Sequence, residues 1–107
     1  ALTALLAPDI LFEDPTFRLR REGRGAVRRM MLETRERYSA VTITPHTRVV
    51  MADRAATEQT VAATVRTKEG PERRVSVRGA SFFVFSGGLI RRWTDYFDAQ
   101  GFSQQIG

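Results

Sequence analysis

Residues Leu89–Asp98 read Leu-Ile-Arg-Arg-Trp-Thr-Asp-Tyr-Phe-Asp and directly follow two glycines, Gly87–Gly88. Bulky and polar residues alternate along this stretch, which predicts a β-strand that leaves a tight hairpin turn. The alternation places Asp95 on the same face of the strand as Trp93 and Phe97. An ionised carboxylate is costly to bury unless another group pairs with it or a ligand uses it. Asp95 is therefore a candidate functional residue, and the alternative is a solvated or structural aspartate.

A second carboxylate, Asp14, also lies among apolar residues, near the start of the chain. Residues Asp9–Phe17 alternate as a strand does. Ile10, Phe12 and Asp14 share one face of this strand. Pro15 ends the strand because a proline cannot donate a hydrogen bond to the sheet. An aspartate before a proline also commonly forms a turn, so this alternative stays open.

The alternation in Leu89–Asp98 also places Arg91 on the face of Asp95. A guanidinium beside Asp95 would lower the pKa of its carboxyl and make it a structural residue. Without such a pair, apolar walls would raise the pKa of Asp14 and of Asp95 by desolvation. A pKa raised toward the working pH is what a general base needs. The sequence leaves the structural and the catalytic interpretation open.

The remaining segments alternate between helical and extended patterns. The predicted elements are a helix end at Ala1–Ala7 stopped by Pro8, a strand at Asp9–Phe17, a polar loop at Arg18–Gly25, a helix from Gly25 to about Tyr38, strands at Ala40–Met51, Thr57–Lys68, Arg73–Phe85 and Leu89–Asp98, and a polar tail at Ala99–Gly107 that is loose or briefly helical. This order predicts an α+β fold, in which one curved antiparallel sheet forms a half-cone closed by helices. A helix that opens without a cap at residue 1 also indicates that preceding sequence is absent.

Several residues on the predicted inner face of the sheet are candidates for contact with a small ligand. Gly79 and Ser81 are small positions on an otherwise bulky strand face, which predicts either the opening of a cavity or a bulge. Aromatic side chains and a methionine on the helix would supply an apolar wall. The candidate ligand-binding residues are Phe12, Met31, Tyr38, Val61, Gly79, Ser81, Phe83, Trp93 and Phe97, and the candidate catalytic residues are Asp14 and Asp95.

The composition restricts the class of protein. With 107 residues, the chain suits a single domain over residues 1–107. It contains no cysteine, which excludes disulfides and thiol chemistry and fits the reducing cytoplasm. The single histidine, His46, has the parity of the more polar face of its strand and no plausible cluster of ligands, so we expect no metal site. We also expect no cofactor. No secretory signal pattern and no apolar run near the ~20 residues of a membrane span are present in the sequence.

The charge of the chain is strongly basic. Its formal net charge is +5, and all but one of its seventeen basic residues are arginine. The arginines occur in small groups spread along the sequence, and many have acidic neighbours. A nucleic-acid-binding surface usually adds exposed aromatic residues or a recognisable motif to its charge. The sequence shows neither, which argues against nucleic-acid binding.

Three segments carry a resemblance to a known family. They are the Phe-Glu-Asp-Pro segment Phe12–Pro15, the Gly-Ala-Val helix start at Gly25–Val27, and the ending Gly87–Asp98. In this order they resemble the nuclear-transport-factor-2-like superfamily, and within it the SnoaL-like group, with kin among ketosteroid isomerases and limonene-epoxide hydrolases. The resemblance covers essentially the whole chain. It implies a half-cone with a pocket for a small hydrophobic molecule and a homodimer, and such proteins usually begin with one more long helix, which this chain lacks.

The resemblance also implies roles for individual residues. Asp14 stands where ketosteroid isomerases keep their catalytic base, and Asp95 matches an acidic residue that limonene-epoxide hydrolases use on their last strand. Ser81 stands where the isomerases place a protonated aspartate. Gln59 and Val61 stand where the epoxide hydrolases need an Arg-x-Asp pair. The resemblance therefore implies two pocket carboxylates without the complete catalytic set of either relative.

Two functional hypotheses follow from these residues. In the first, the protein is a cofactor-independent enzyme of isomerase, cyclase or hydrolase type. Asp14 would take a proton from a carbon beside a carbonyl or from a water, and Asp95 would be a second acid or base. The substrate would be a small hydrophobic cyclic ketone, lactone or polyketide-like molecule. The alternative is a non-catalytic ligand-binding or dimerisation module, with the threonine-rich faces of Ala40–Met51 and Thr57–Lys68 as candidate contact surfaces.

Overall fold

The computed structural model describes residues 2–66 and 70–106 of the chain. Its elements are a 3-10 helix Leu2–Leu5, strand β1 Leu6–Asp14, strand β2 Leu19–Glu22, helix α1 Arg24–Arg37, strand β3 Tyr38–Val50, strand β4 Arg54–Val65, strand β5 Arg73–Ser86, strand β6 Leu89–Phe97 and helix α2 Ala99–Ile106. Within these described ranges, the strands form one open six-stranded sheet in the order β2-β1-β6-β5-β4-β3. Helix α1 packs against β1, β2 and β3, and helix α2 packs against β5. The predicted α+β class is confirmed.

The sheet is mixed, so the prediction of an antiparallel sheet is wrong at one pair of strands. Strands β3, β4, β5 and β6 pair antiparallel in succession, and β2 pairs antiparallel with β1. Strand β1 runs parallel to β6. Hairpin turns force neighbouring strands to be antiparallel, but β1 reaches β6 only after the chain has passed through β2 to β5. A connection of that length does not determine whether β1 and β6 run parallel or antiparallel, and the alternation within each strand does not determine this either.

The start of the chain differs most from its predicted structure. The predicted helix Ala1–Ala7 is a 3-10 helix that ends at Leu5, and Ala1 lies outside the described residues. Strand β1 begins at Leu6 and continues through Pro8. The pairing of β1 with β6 is irregular between Leu6 and Leu11. Pro8, which has no N–H group to donate, therefore interrupts no regular hydrogen-bond ladder there.

Strand β2 was not predicted, because its residues Leu19–Glu22 are mostly charged and fall in the segment expected to be a polar loop. The strand pairs with the end of β1, where Asp14 lies opposite Leu19. Arg20 forms ion pairs with Glu13 and Glu22 at the surface, while Leu19 packs against the core. Four residues with one apolar side chain give too short a pattern for an alternation to be recognised.

Helix α1 and the four long strands lie within three residues of their predicted bounds, although the predicted strand end at Lys68 lies outside the described residues. The glycine pair Gly87–Gly88 forms the predicted tight turn between β5 and β6. Both glycines have positive φ, 60° and 79°, and Ser86 pairs with Leu89 across the turn. A two-residue hairpin of this type needs positive φ at both positions, which explains the two glycines.

A bulge in β6 changes the face on which Arg91 lies. Val84 pairs with Arg92 and Phe85 pairs with Ile90, so Arg91 is an extra residue opposite the two positions of β5. The bulge sends Ile90 into the core and Arg91 to the surface, where it forms an ion pair with Asp9 at 3.5 Å. The prediction that Arg91 lies on the same face as Asp95 is therefore wrong, and the two side chains do not pair.

The hydrophobic core lies between β1, β6 and helix α1. Its buried members are Leu6, Ile10, Phe12, Val27, Met30 and Ile90, and the partly buried Leu19, Met31, Phe83, Phe85 and Trp93 pack against them. Leu6, Ile10 and Val27 are completely buried. This core fixes α1 over β1 and β2.

Candidate functional site

A cavity of about 360 Å³ lies between the sheet and the two helices. Most of its wall is apolar, and every strand of the sheet and both helices contribute to it. The lining residues are Phe12, Asp14, Phe17, Leu19, Met30, Met31, Thr34, Tyr38, Val41, Val61, Ala63, Val75, Val77, Trp93, Asp95, Phe97 and Phe102. Among the described residues, no arginine, lysine or histidine lines this cavity. Its charged groups are the two carboxylates, which come from β1 and β6.

Asp95 is buried, with 8% of its surface exposed, and its Oδ1 atom accepts two hydrogen bonds. The Ser81 hydroxyl donates one at 2.6 Å, and the indole Nε1 of Trp93 donates the other at 2.7 Å. The two donors occupy the same oxygen. In the described part of the chain, no protein group donates to the second oxygen, Oδ2.

The pKa of Asp95 is raised from its ordinary value of 3.8 to about 6. Burial is the largest cause, because an apolar environment disfavours the charged form of a carboxyl. The hydrogen bonds from Ser81 and Trp93 act in the opposite direction and lower the pKa, and the negative charge of Asp14 raises it again. Asp95 is thus a carboxylate whose protonation changes close to neutral pH.

Asp14 is also buried, with 4% of its surface exposed, at the end of β1. Its Oδ1 atom accepts a hydrogen bond from the backbone N–H of Phe17 at 3.2 Å. Burial raises the pKa of Asp14, and backbone hydrogen bonds from Phe17 and Thr16 lower it by a smaller amount. The aspartate before Pro15 is therefore both a turn-forming residue and a cavity carboxylate, so the two interpretations of its sequence context hold together.

Aromatic rings form two groups on the cavity wall. Phe12 and Trp93 meet edge to face, with their ring centroids 4.9 Å apart. The ring centroid of Phe17 lies 6.1 Å from that of Phe97 and 5.6 Å from that of Phe102. The contact with Phe102 packs helix α2 against the turn that follows β1. These aromatic pairs form part of the apolar wall of the cavity.

Eight of the residues singled out from the sequence line the cavity, namely Phe12, Asp14, Met31, Tyr38, Val61, Trp93, Asp95 and Phe97. Gly79, Ser81 and Phe83 lie behind its wall. The ring of Phe97 covers Gly79 so closely that a Cβ atom there would lie 2.5 Å from Cδ1 of that ring. Ser81 is buried beneath Asp95, and Phe83 stacks on Trp93 at 6.0 Å. The small residues of β5 thus make room for residues of β6 rather than for a ligand, and the pairing of β5 with β4 and β6 is regular at these positions.

Some lining residues were not identified from the sequence. Val75 and Val77 have the same parity as Gly79, and Ala63 has the parity of Val61, so an extension of the strand alternation would have found them. Phe102 was missed because its segment was interpreted as a polar tail. Helix α2 begins after Asp98, whose side chain accepts a hydrogen bond from the N–H of Gly101 at 2.9 Å. Asp98, an N-cap residue directly before the helix, was the sequence signal that could have predicted α2.

The other candidate chemistry lies away from the cavity. His46 is exposed, and its Nε2 atom shares a 2.6 Å hydrogen bond with the Thr60 hydroxyl. Within residues 2–66 and 70–106, no group of three or more histidine, cysteine, aspartate or glutamate residues is arranged to hold a metal ion. In the same part of the chain, no helix has the length and apolar character that crossing a membrane requires.

The chain thus combines an open α+β sheet with a half-open, mostly apolar cavity that contains two buried carboxylates. Residues 1–93 match the family model described as the SnoaL-like domain, and the chain belongs to this family. The predicted resemblance to the SnoaL-like group is thereby confirmed. No curated protein matches the sequence.

Solved structures share the fold across nearly the whole chain. A protein from Shewanella denitrificans, proposed to be a SnoaL-like polyketide cyclase, has a TM-score of 0.88 and 14% identity over 98% of this chain and 82% of its own. A protein of ketosteroid isomerase-like fold from Catenulispora acidiphila, in complex with trimethylamine, has a TM-score of 0.84 and 20% identity over 97% and 78%. An LEH-like epoxide hydrolase from M. tuberculosis has a TM-score of 0.78 and 24% identity over 98% and 74%. At these identities the likeness shows the fold alone.

Proposed function

We propose that this protein is a cofactor-independent enzyme that moves a proton on a small, neutral, hydrophobic substrate such as a cyclic ketone, a lactone or a polyketide-like molecule. The observation that carries the proposal is the placement of two buried carboxylates, Asp14 and Asp95, in one apolar cavity. Buried carboxylates near a ligand-sized space are the groups that acid–base enzymes use. Two such groups with different surroundings can divide the acid and the base role.

Asp95 is the better candidate for the base, although the family resemblance implied that role for Asp14. With a pKa of about 6, Asp95 is mostly ionised at pH 7 and still basic enough to take a proton efficiently. Its Oδ2 atom would accept the proton from the carbon beside the substrate carbonyl, and the electron pair of the broken C–H bond would pass to the carbonyl oxygen. Asp14, whose negative charge contributes to the raised pKa of Asp95, would support the base without taking part in the proton transfer itself. The proton on Asp95 would then return to another atom of the enolate.

The cavity also restricts the class of substrate. Its volume of about 360 Å³ is near the lower end of the range for small-molecule sites, which suits a molecule of one or two rings. Its carboxylates would repel an anionic substrate, because no cationic side chain among the described residues lines the wall. A neutral cyclic carbonyl compound fits both limits. The Shewanella denitrificans neighbour, itself proposed to be a polyketide cyclase, supports the same class.

Deuterium exchange tests this proposal without knowledge of the product. The protein is incubated in D₂O with a panel of cyclic ketones and lactones, and ¹H NMR follows loss of the proton next to the carbonyl. We expect at least one compound to exchange faster with the protein than in buffer. Replacing Thr34, a cavity-lining residue of α1, by Trp should fill the space and abolish the acceleration. Acceleration that survives in Thr34→Trp would place the reaction outside the cavity, and no acceleration across the panel would contradict the proposal.

A second candidate function, a dimerisation module, rests on an apolar patch on the face of the sheet opposite the cavity. We define this outer patch by Val49, Phe82 and Tyr96, which are 55%, 47% and 47% exposed. Val49 and Phe82 both pair with Ala56, and the rings of Phe82 and Tyr96 are 5.9 Å apart, so the three side chains share one face. Contiguous exposed apolar residues of this kind are typical of protein–protein interfaces. The threonine-rich faces predicted as contact surfaces belong to β3 and β4, and Val49 of the outer patch also lies on β3.

Sedimentation velocity tests whether two copies of the chain meet at the outer patch. We expect a homodimer for the wild-type protein and a monomer for the Phe82→Lys/Tyr96→Lys variant, since two buried lysines would be too costly to desolvate. Ile43→Lys is the matched control, because Ile43 is 62% exposed but pairs with the cavity residue Val61 and lies on the other face. A monomeric wild-type protein, or a double variant that remains a dimer, would contradict this candidate function.

A further inference from the structure

We propose that Gln59 and Ser81 are positioning residues, which hold the Oδ1 atom of Asp95 through a directed chain of hydrogen bonds and leave its Oδ2 atom to exchange the proton with the substrate. This inference rests on the proposed function, because it assigns a reacting atom to the base of that reaction. It concerns two side chains that are not among the residues lining the cavity. Ser81 is 4% exposed, so its hydroxyl needs partners inside the protein.

The chain of hydrogen bonds crosses three neighbouring strands. The Thr57 hydroxyl donates to Oε1 of Gln59 at 2.6 Å, and Nε2 of Gln59 donates to the Ser81 hydroxyl oxygen at 2.9 Å. The Ser81 hydroxyl donates in turn to Oδ1 of Asp95 at 2.6 Å. Thr57, Ser81 and Asp95 are directly opposite one another in the ladders of β4, β5 and β6. The regular strand pairing thus aligns the hydrogen-bonded side chains, from the half-buried Thr57 on β4 to the buried carboxylate of Asp95 on β6.

The direction of each hydrogen bond follows from the groups that take part. An amide nitrogen can only donate, so the Ser81 oxygen accepts from Gln59 and its single hydrogen is available for Asp95. The Thr57 hydroxyl, by donating to Oε1, holds the Gln59 side chain with its nitrogen toward Ser81. A serine without Gln59 would be free to rotate its hydrogen toward another acceptor. Gln59 therefore keeps the Ser81 donor aimed at Asp95, although it does not touch the carboxylate itself.

The arrangement also distinguishes the two oxygens of Asp95. Ser81 and Trp93 both donate to Oδ1, so this atom is a poor acceptor for a third proton. Oδ2 receives no donor from the described residues, and Asp95 lines the cavity. The two hydrogen bonds favour the ionised carboxylate and limit the rise in pKa that burial causes. Asp14 from β1 and Tyr38 from the start of β3 are the other titratable side chains that line this space among the described residues.

NMR titration tests the role of Gln59 and Ser81 without any substrate. The ¹³C signal of the Asp95 carboxyl, assigned by its absence in Asp95→Asn, is followed from pH 3 to pH 9, together with the signal of Asp14. We expect the midpoint for Asp95 to rise by about one pH unit in Ser81→Ala and by a smaller amount in Gln59→Met, since each weakens the donor to the ionised form. Ser81→Thr keeps the hydroxyl and should restore the wild-type midpoint. Ser76→Ala removes an exposed hydroxyl from the same strand and should change nothing.

The result that overturns the inference is an unchanged or lowered midpoint in Ser81→Ala. Should Ser81→Ala fail to fold, Gln59→Met decides the question, and a midpoint equal to that of Ser76→Ala overturns the inference. The exchange assay adds a readout that a merely structural role would not move, because the acidic limb of the pH–rate profile should shift upward with the midpoint in Ser81→Ala. If no panel compound exchanges with the wild-type protein, the proposed function fails while the NMR result still decides the role of the two residues.

Discussion

At pH 8, the Asp95→Asn variant should be more stable than the wild-type protein by as much as about 3 kcal/mol, and at pH 4 the two should unfold at nearly the same urea concentration. A pKa raised from 3.8 to about 6 means that the folded protein disfavours the charged form of Asp95 by about this amount. Asparagine removes the charge and keeps an oxygen that accepts from Ser81 and Trp93. Urea unfolding of both proteins at the two pH values measures the difference.

The sign of this pH dependence follows from the raised pKa. Below pH 3.8, Asp95 is protonated in the folded and in the unfolded chain, so its burial carries no penalty for charge. As the pH rises through about 6, the buried carboxyl must ionise, and the stability that the protonated form contributed is lost. The neutral side chain of the variant avoids this loss. The advantage of Asp95→Asn should therefore grow between pH 4 and pH 7 and stay constant above it.

Two further variants complete the stability experiment. Asp9→Asn is the matched control, because Asp9 pairs with Arg91 at the surface, where both side chains are more than half exposed. Such exposed pairs contribute little, so this variant should differ from wild type by less than about 1 kcal/mol at either pH. Asp14→Asn should shift stability in the same direction as Asp95→Asn, because burial raises the pKa of Asp14 as well. A clear loss of stability in Asp95→Asn at pH 8 would show that Asp95 is a structural residue.

Much of the candidate site could be predicted from the sequence because it depends on local alternation. A strand with period two puts Trp93, Asp95 and Phe97 on one face whatever the sheet around it, and the structure brings all three to the cavity. Asp14 and Phe12 follow by the same rule on β1. The turn at Gly87–Gly88 is equally local, since two positive φ angles exclude most other residues.

The features that could not be predicted depend on how distant strands pair. A bulge is defined by two strands, so the alternation of β6 alone gave no sign that Arg91 would leave the face of Asp95. The hydrogen-bond chain from Gln59 through Ser81 needs the register of β4, β5 and β6, which the sequence does not contain. The parallel pairing of β1 with β6 has the same origin. Sequence alternation therefore identified the carboxylates, but the groups that tune them became visible only with the sheet.

The largest effect expected on activity is a loss of 10²- to 10⁴-fold in the exchange rate for Asp95→Asn, which is the usual contribution of a positioned general base. Asparagine accepts the hydrogen bonds of Ser81 and Trp93 but has no basic atom to take a proton. The wild-type rate should rise with pH through about 6 and level off above it, because the base must be ionised. Rates for wild type and variant are measured by ¹H NMR in D₂O on the fastest compound of the panel.

The division of roles between the two carboxylates can be read from the same assay. If Asp95 is the base and Asp14 acts only through its charge, Asp14→Asn should lose less activity than Asp95→Asn, because the carboxylate that takes the proton is still present. The opposite order would make Asp14 the base, and full activity in both variants would contradict carboxylate catalysis. Asp9→Asn should keep the wild-type rate. A single substitution that stabilises the fold at pH 8 and abolishes exchange would identify Asp95 as a residue kept for its chemistry at a cost in stability.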